Sequence, residues 1–212
     1  YYNSKQPLGL EGDFITAPKI SNLFSEMIAI WMISTWEIFG KPKNFNIVEM
    51  GPGDGALTKV LLNVFKKFPE FDKIKKIYLL ETSQLLTKLQ RKNISCKKVK
   101  WIKNINTIKK GPIVFFGNEF LDAIPIKQFK RNKRSLFEKY FQLQKNCDIK
   151  TIFKKASAKD VKIVNSYKSL KNLKFVEFPK EGLELMQKIL NKIIALDGCI
   201  LMIDYGYLKS NN

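Results

Sequence analysis

Hydrophobic positions along the chain follow two spacings, one typical of amphipathic helices and the other of short buried strands. From Ile20 onward, apolar residues recur every three or four positions, which predicts a helix that ends at Gly40. The run Phe45–Met50 is a predicted buried strand. A second helix is predicted from Leu57, and Pro69 is expected to stop it. The chain therefore begins with a helix, strand, helix order.

The same alternation continues toward the end of the chain. The further predicted elements are strand 76–80, helix 83–91, strands 99–102 and 112–116, antiparallel strands 126–129 and 136–143, helix 182–196 and strand 199–204. The lysine-rich stretch 144–175 shows no clear period and is assigned no elements. Strands that alternate with helices predict an α/β fold with a mostly parallel sheet, helices on both faces and an inserted antiparallel subregion.

The length of 212 residues suits one domain with a well-buried core. Residues 126–178 are predicted to form a β-rich, lysine-rich insertion within it. Both ends look cut, because the chain starts at Tyr1 without a methionine and stops just after a predicted strand; no targeting segment is visible. The longest apolar run, Ile28–Ile33, is too short to span a bilayer, so no membrane insertion is expected.

The amino-acid composition argues against several classes of function. The formal charge is +19, but only three of the 38 basic residues are arginines, the residue that nucleic-acid readers favour. Lysines spread along the whole chain predict a solvated basic surface, and a nucleic-acid partner is not expected. The chain has no histidine and only three widely spaced cysteines, which argues against a metal site and against Ser-His or Cys-His catalysis.

A glycine-rich turn directly follows the first predicted strand and reads EMGPGDG from Glu49 to Gly55. Its glycines allow the backbone to turn tightly and approach a ligand closely. A dinucleotide site would carry G-x-G-x-x-G, whereas this turn carries G-x-G-x-G with an acid two residues before the first glycine. A carboxylate repels a pyrophosphate and attracts the ammonium and sulfonium of S-adenosylmethionine. The predicted cofactor-binding residues of this turn are Glu49, Gly51, Gly53, Asp54 and Gly55.

Two more polar segments follow later strands. Glu81 ends the second strand, where a carboxylate can accept both hydroxyls of a ribose, and Thr82 and Ser83 after it are further cofactor-binding candidates. A hydrogen bond to a charged group contributes roughly 1.5–3 kcal/mol. The segment Asn118–Asp122 follows the fourth strand. Ligands of open parallel sheets bind at the carboxyl ends of strands, so we expect the three segments to form one site.

Four segments of the chain carry motifs that are unusual in combination. They are GDFITAPKIS at 12–21, EMGPG at 49–53, NEFLDAIP at 118–125 and DYG at 204–206. In this order they resemble the MidA-type family of class I S-adenosylmethionine-dependent methyltransferases. Lys19 and Ser25 depart from the family, where Glu and Gly are usual. The family also continues well beyond the DYG motif, and that part is absent from this sequence.

The resemblance implies a Rossmann-like class I methyltransferase fold with S-adenosyl-L-methionine as cofactor. Mitochondrial members of the family methylate an arginine on a core subunit of respiratory complex I during its assembly. A protein substrate is therefore expected. The expected location of this protein is the mitochondrial matrix if its source is eukaryotic and the cytoplasm if its source is bacterial. The sequence predicts no oligomeric state.

The resemblance also implies roles for individual residues. Glu119 and Asp122 are predicted to clamp the substrate guanidinium, whose intrinsic pKa near ~12.5–13.8 makes it a poor nucleophile until it is oriented. Asn118 is predicted to serve both catalysis and cofactor binding. The alternative for Asp122 is a helix cap.

Residues before the first helix are predicted to close over the cofactor as a substrate or lid segment, with Gly12, Asp13 and Thr16 as its candidates. From the sequence alone, they could equally form a capping turn. Trp101, near the end of the third strand, could face the adenine, although a core position is favoured.

Two other functions stay open at this point. One is a non-catalytic assembly factor that uses the methyltransferase fold to bind its client. The other is an RNA methyltransferase, which the net charge would suit. RNA-base amino methyltransferases often carry N/D-P-P-Y/F after the fourth strand, whereas this chain has Asn118-Glu119-Phe120-Leu121 there.

Overall fold

The computed structural model describes residues 22–133 and 135–206, and elements are numbered within these ranges. The helices are α1 (Asn22–Ile38), α2 (Ala56–Phe65), α3 (Pro69–Ile74), α4 (Gln84–Asn93), α5 (Ala158–Ser166) and α6 (Lys180–Leu196). The strands are β1 (Phe45–Met50), β2 (Lys75–Leu80), β3 (Val99–Ile102), β4 (Ile113–Asn118), β5 (Lys127–Asn132), β6 (Ser135–Leu143), β7 (Ile149–Lys155), β8 (Phe175–Phe178) and β9 (Gly198–Ile203). The predicted lid residues Gly12, Asp13 and Thr16 lie outside the described residues.

Five strands form a sheet in the order β3-β2-β1-β4-β9, and every neighbouring pair is parallel. The last residues of the strands are in register, with Met50 opposite Leu80, Leu80 opposite Ile102 and Asn118 opposite Ile203. The carboxyl ends therefore share one edge of the sheet. The predicted α/β fold is confirmed.

The strand order reverses beside β1. The chain adds β2 and β3 on one side of β1 and then places β4 and β9 on the other. Such a reversal opens a crevice above the carboxyl ends, since the connections on its two sides lead away from each other. In this chain the crevice lies between the ends of β1 and β4.

The core of the first unit forms around β1, which is buried along its whole length. A short helix that the sequence did not predict contributes to it: Pro69 begins α3 rather than only stopping the helix before it. Proline suits the first turn of a helix because it lacks only an N–H that would be unpaired there. Phe71 of α3 is fully buried, with ring centroids 4.9 Å from Phe65 and 5.4 Å from Trp36. Packing of this ring explains why the chain forms another helix here.

Residues Ala123–Gln187 form a second compact unit, and the first contains the described residues up to Asp122 and from Lys188 onward. The second unit holds an antiparallel sheet in the order β7-β6-β5-β8. Its core contains Phe129, Leu136 and Val164. The sequence left 144–175 unassigned within the β-rich insertion, and the structure shows that β7, α5 and β8 lie there. Nearly all of β7 is exposed, so no buried face produced a hydrophobic period.

No helix in the described ranges is both long and apolar enough to cross a membrane.

Candidate functional site

The three polar segments follow β1, β2 and β4, and each continues the hydrogen bonding of the sheet past the strand end. The backbone N–H of Glu81 donates to the carbonyl of Ile102 at 3.1 Å, and that of Glu119 donates to Ile203 at 2.8 Å. These bonds hold the segments at the same edge of the sheet. The structure thus places the sequence-predicted residues after β1, β2 and β4 around the crevice.

The turn after β1 depends on glycine. Gly51, Gly53 and Gly55 have φ of 61°, 55° and 84°, in the left-handed region where a β-carbon is strained. A β-carbon on Gly51 would lie 2.8 Å from Cδ2 of Phe120, in the segment after β4. The two segments therefore approach each other closely, and Gly51 itself stays exposed.

Glu49 is a carboxylate buried within the sheet, with 4% of its surface exposed. Its Oε2 accepts a hydrogen bond from the hydroxyl of Thr58 in α2. Burial raises the pKa of Glu49 to about 7, the Thr58 hydrogen bond lowers it, and the nearby charge of Asp54 raises it. Across residues 22–133 and 135–206, no lysine or arginine forms an ion pair with it. Glu49 is therefore a buried acid suited to a cationic ligand.

Glu81 is 9% exposed and is held at both carboxylate oxygens. Its Oε1 accepts the backbone N–H of Ser83 at 2.7 Å, and its Oε2 accepts a hydrogen bond from Nε2 of Gln90 at 3.1 Å. The Ser83 hydroxyl accepts the N–H of Leu86 and so caps α4. Ser83 thus orients Glu81 and starts the helix behind it, whereas Thr82 is exposed.

Helix α4 also supports the glycine turn. Nε2 of Gln90 donates to the Gly53 carbonyl at 2.8 Å, and Nδ2 of Asn93 donates to the Asp54 carbonyl at 2.9 Å. The Asp54 side chain accepts the N–H of Ala56 at 3.1 Å, at the start of α2. Gln90 and Asn93 were not among the site residues predicted from the sequence. The available signal was a glutamine four residues after the core-facing Leu86, a position that normally takes an apolar residue.

The segment after β4 is held by the DYG motif. Oδ2 of Asp204 accepts the backbone N–H groups of Leu121 at 2.9 Å and Asp122 at 3.3 Å. The Tyr205 hydroxyl donates to Oδ2 of Asp122 at 2.6 Å, and this hydrogen bond, together with the negative charge of Asp122, raises the pKa of Tyr205 to about 12. Asp204 was noted in the sequence only as part of a motif. Its contacts show that it orders the segment that carries Glu119 and Asp122.

Asp122 does not cap a helix, so that alternative was wrong. The residues after it form turns and bends that lead into β5. Asp122 is exposed, whereas Asn118 at the end of β4 and Glu119 are half-buried. Glu119 has φ of 51°, an uncommon conformation for a residue other than glycine. Strained residues of this kind persist where the surrounding structure imposes them, often at functional sites.

The carboxyl edge is acidic although the chain as a whole is strongly basic. Six carboxylates lie near the last residues of its strands or in the segments that follow them: Glu49, Asp54, Glu81, Glu119, Asp122 and Asp204. Among the described residues, no group of three or more acids or cysteines is arranged to hold a metal ion. The arrangement instead offers separate carboxylates to a ligand that carries positive charge and hydroxyl groups.

Gly55→Ala is expected to destabilise the protein more than Gly40→Ala. Both glycines have φ near +80°, so alanine meets the same backbone strain at each. A β-carbon at Gly40 meets nothing within 4 Å, whereas at Gly55 it would lie 2.7 Å from Cδ1 of Ile94. Overpacking should therefore lower the free energy of unfolding of Gly55→Ala by roughly 1–3 kcal/mol more than that of Gly40→Ala. Urea unfolding of both variants measures the difference, and equal losses would contradict the close packing.

Comparison with known proteins places the chain in a family. The family model described as "Putative S-adenosyl-L-methionine-dependent methyltransferase" matches residues 27–212. The Caenorhabditis elegans protein named protein arginine methyltransferase NDUFAF7 homolog, mitochondrial, is 31% identical over 234 residues, which cover 100% of this chain and 54% of that protein. Human protein arginine methyltransferase NDUFAF7, mitochondrial, is 28% identical over 98% of this chain and 52% of its own length. The chain spans about half the length of these relatives.

Two solved structures from Burkholderia thailandensis share the fold. One, a superfamily member bound to S-adenosyl-homocysteine, has a TM-score of 0.66 and 20% identity over 92% of this chain and 50% of its own. A native structure from the same superfamily has a TM-score of 0.71 and 19% identity, and the match covers 97% of this chain and 54% of that one. The Rossmann-like fold expected from the resemblance is confirmed. With the family match over residues 27–212 and the 31% identity along the chain, the protein belongs to the MidA-like family of S-adenosyl-L-methionine-dependent methyltransferases.

Proposed function

We propose that this protein binds S-adenosyl-L-methionine at the carboxyl edge of its parallel sheet and transfers the methyl group to an arginine of a protein substrate. The observation that carries the proposal is the pair of buried carboxylates, Glu49 and Glu81, at the ends of adjacent strands. A buried carboxylate without a basic partner costs free energy in the free protein, which a cationic ligand would recover.

The residues at this edge fit the cofactor part by part. Glu49 would attract the positively charged methionyl end, and Glu81 would accept the ribose hydroxyls. Gly51 and Gly53 would let the backbone approach the nucleoside closely. Asn118 lies at the end of β4, across the crevice from the glycine turn. The cofactor would supply a methyl group bonded to a positively charged sulfur; when that bond breaks, the sulfur leaves as a neutral thioether that needs no protonation, and the methylated nitrogen gives up one proton.

Catalysis would depend mainly on positioning. Glu119 and Asp122 would hold the guanidinium in a bidentate pairing and orient one nitrogen toward the methyl group. Alignment of reacting atoms contributes up to ~7–11 kcal/mol in favourable systems. Asp204 and Tyr205 would act through Asp122, because they hold its backbone and its carboxylate.

The proposed substrate is a protein, in line with the names of the relatives. The resemblance described above points to a core subunit of respiratory complex I. The relatives are named as mitochondrial proteins, and we propose the same compartment if the source is eukaryotic.

Two measurements test this function. Calorimetry should show that the full-length protein binds S-adenosyl-homocysteine. Mass spectrometry of the proteome with and without the gene should reveal a methylarginine that disappears when the gene is deleted. Binding without any lost mark would favour the non-catalytic assembly factor, and absence of binding would contradict the cofactor assignment.

A further inference from the structure

Gln90 of α4 has three polar contacts, each with a different element. It is fully buried. Its Nε2 donates to the Gly53 carbonyl at 2.8 Å and to Oε2 of Glu81 at 3.1 Å. Its Oε1 accepts a hydrogen bond from Nε1 of Trp101, in β3, at 2.9 Å. One side chain thus joins the glycine turn, the acid after β2 and the neighbouring strand.

The chemistry of the three partners determines which way this amide points. The indole N–H of Trp101 can only donate, so it must face the amide oxygen. The Gly53 carbonyl and the Glu81 carboxylate can only accept, so they must face the amide nitrogen. A flipped amide would oppose donor to donor and acceptor to acceptor at every contact. Trp101 is itself held in place, because the Arg91 guanidinium lies 4.2 Å from the centroid of its ring.

This orientation decides which parts of the Glu81 carboxylate stay available. An ionised carboxylate offers about four lone-pair sites, two on each oxygen. The Ser83 N–H uses one on Oε1, and Gln90 uses one on Oε2. One site remains on each oxygen, which matches two adjacent hydroxyls that each donate one hydrogen bond. The terminal torsion of a glutamate is intrinsically broad, so these two contacts are what restrict it.

We propose that Gln90 is a positioning residue for ribose recognition, which holds the Glu81 carboxylate so that both oxygens face the ribose hydroxyls. This inference rests on the proposed function. It also gives Trp101 a role that the sequence did not suggest: its indole N–H fixes the Gln90 amide.

The test compares Gln90→Met with wild type by calorimetry of the full-length protein. The ligands are S-adenosyl-homocysteine and its 2′,3′-dideoxy analogue. Affinity for the first should fall about tenfold, the expected effect of disturbing a hydrogen bond to a charged group. Affinity for the analogue should fall clearly less, since it has no hydroxyls for Glu81 to accept and is affected only through the contact of Gln90 with the Gly53 carbonyl. Gln142→Met, at an exposed glutamine of β6, is the matched control.

A double-mutant cycle with Glu81→Gln separates positioning from general support of the fold. If Gln90 acts through Glu81, the loss in the double variant should be clearly smaller than the sum of the two single losses. Additive losses, or equal losses for both ligands, would overturn the proposal. If Gln90→Met fails to fold, Trp101→Phe takes its place, because it keeps an aromatic ring at this position and removes the indole N–H that fixes the amide. An unchanged affinity of Trp101→Phe for S-adenosyl-homocysteine then counts against the proposal, whereas a loss confined to that ligand supports it. A wild-type protein that binds neither ligand overturns the proposed function itself.

Discussion

Replacing Glu49 with glutamine is expected to weaken cofactor binding strongly and, at the same time, to stabilise the free protein above neutral pH. The amide keeps the size of the side chain and an oxygen that can accept the Thr58 hydroxyl. It removes the negative charge that would attract the methionyl end of the cofactor. Loss of a charge pair in a buried site should weaken binding by roughly a hundredfold or more, since such losses cost about 3–5 kcal/mol.

The gain in stability follows from the pKa of Glu49. Burial raises this pKa from an ordinary 4.5 to about 7, so the folded protein keeps a proton that the unfolded chain releases. The contribution of the protonated acid to the stability of the folded protein is fully present below pH 4.5 and is lost as the pH rises to about 7. This change in pKa corresponds to about 3 kcal/mol of unfolding free energy. The free energy of unfolding of Glu49→Gln, relative to that of wild type, should therefore be about 3 kcal/mol higher at pH 8 than at pH 4.5.

Urea unfolding at both pH values, without cofactor, measures this gain. Glu26→Gln, at an exposed acid of α1, serves as the control and should show no comparable change. Cofactor affinity of the wild type should also fall below pH 7, about tenfold per unit, because the cation binds the ionised acid. A Glu49→Gln variant that binds S-adenosyl-homocysteine normally would contradict the proposed role of this carboxylate.

The double variant Glu119→Gln with Asp122→Asn is expected to keep cofactor binding and to lose methyl transfer. Neither side chain lies on the glycine turn, so S-adenosyl-homocysteine affinity should stay within about twofold. Both amides lose the charge that pairs with a guanidinium, and misplacing the nucleophile should reduce turnover by about 10²-fold or more. The measurement is restoration of the lost methylarginine in cells that lack the gene.

The control for this variant changes two exposed acids of the second unit, Asp148→Asn with Glu184→Gln. It should restore the mark as wild type does. Tyr205→Phe should have a smaller effect than the double variant, because it removes only the hydrogen bond to Asp122. Full restoration by Glu119→Gln with Asp122→Asn would mean that these acids do not hold the substrate.

Local signals explain how much of the fold could be predicted. The bounds of β1 and β3 were predicted without error, since short apolar runs beside a glycine turn or a helix end are encoded by adjacent residues. Pro69 was harder, because proline both ends one helix and suits the first turn of another. Whether Pro69 only ends one helix or also begins another depends on Phe71, whose ring packs against residues distant in the chain.

The sequence by itself determined the alternation of helices and strands, the glycine turn and the position of each acid at a strand end. These features depend on backbone preference and on spacing between near neighbours. Only the tertiary structure decided that Gln90 contacts Gly53, 37 residues away, and that Asp204 holds Leu121 across 83 residues. Polar contacts over such separations leave no periodic pattern, because the partners meet only after the strands have aligned in parallel register.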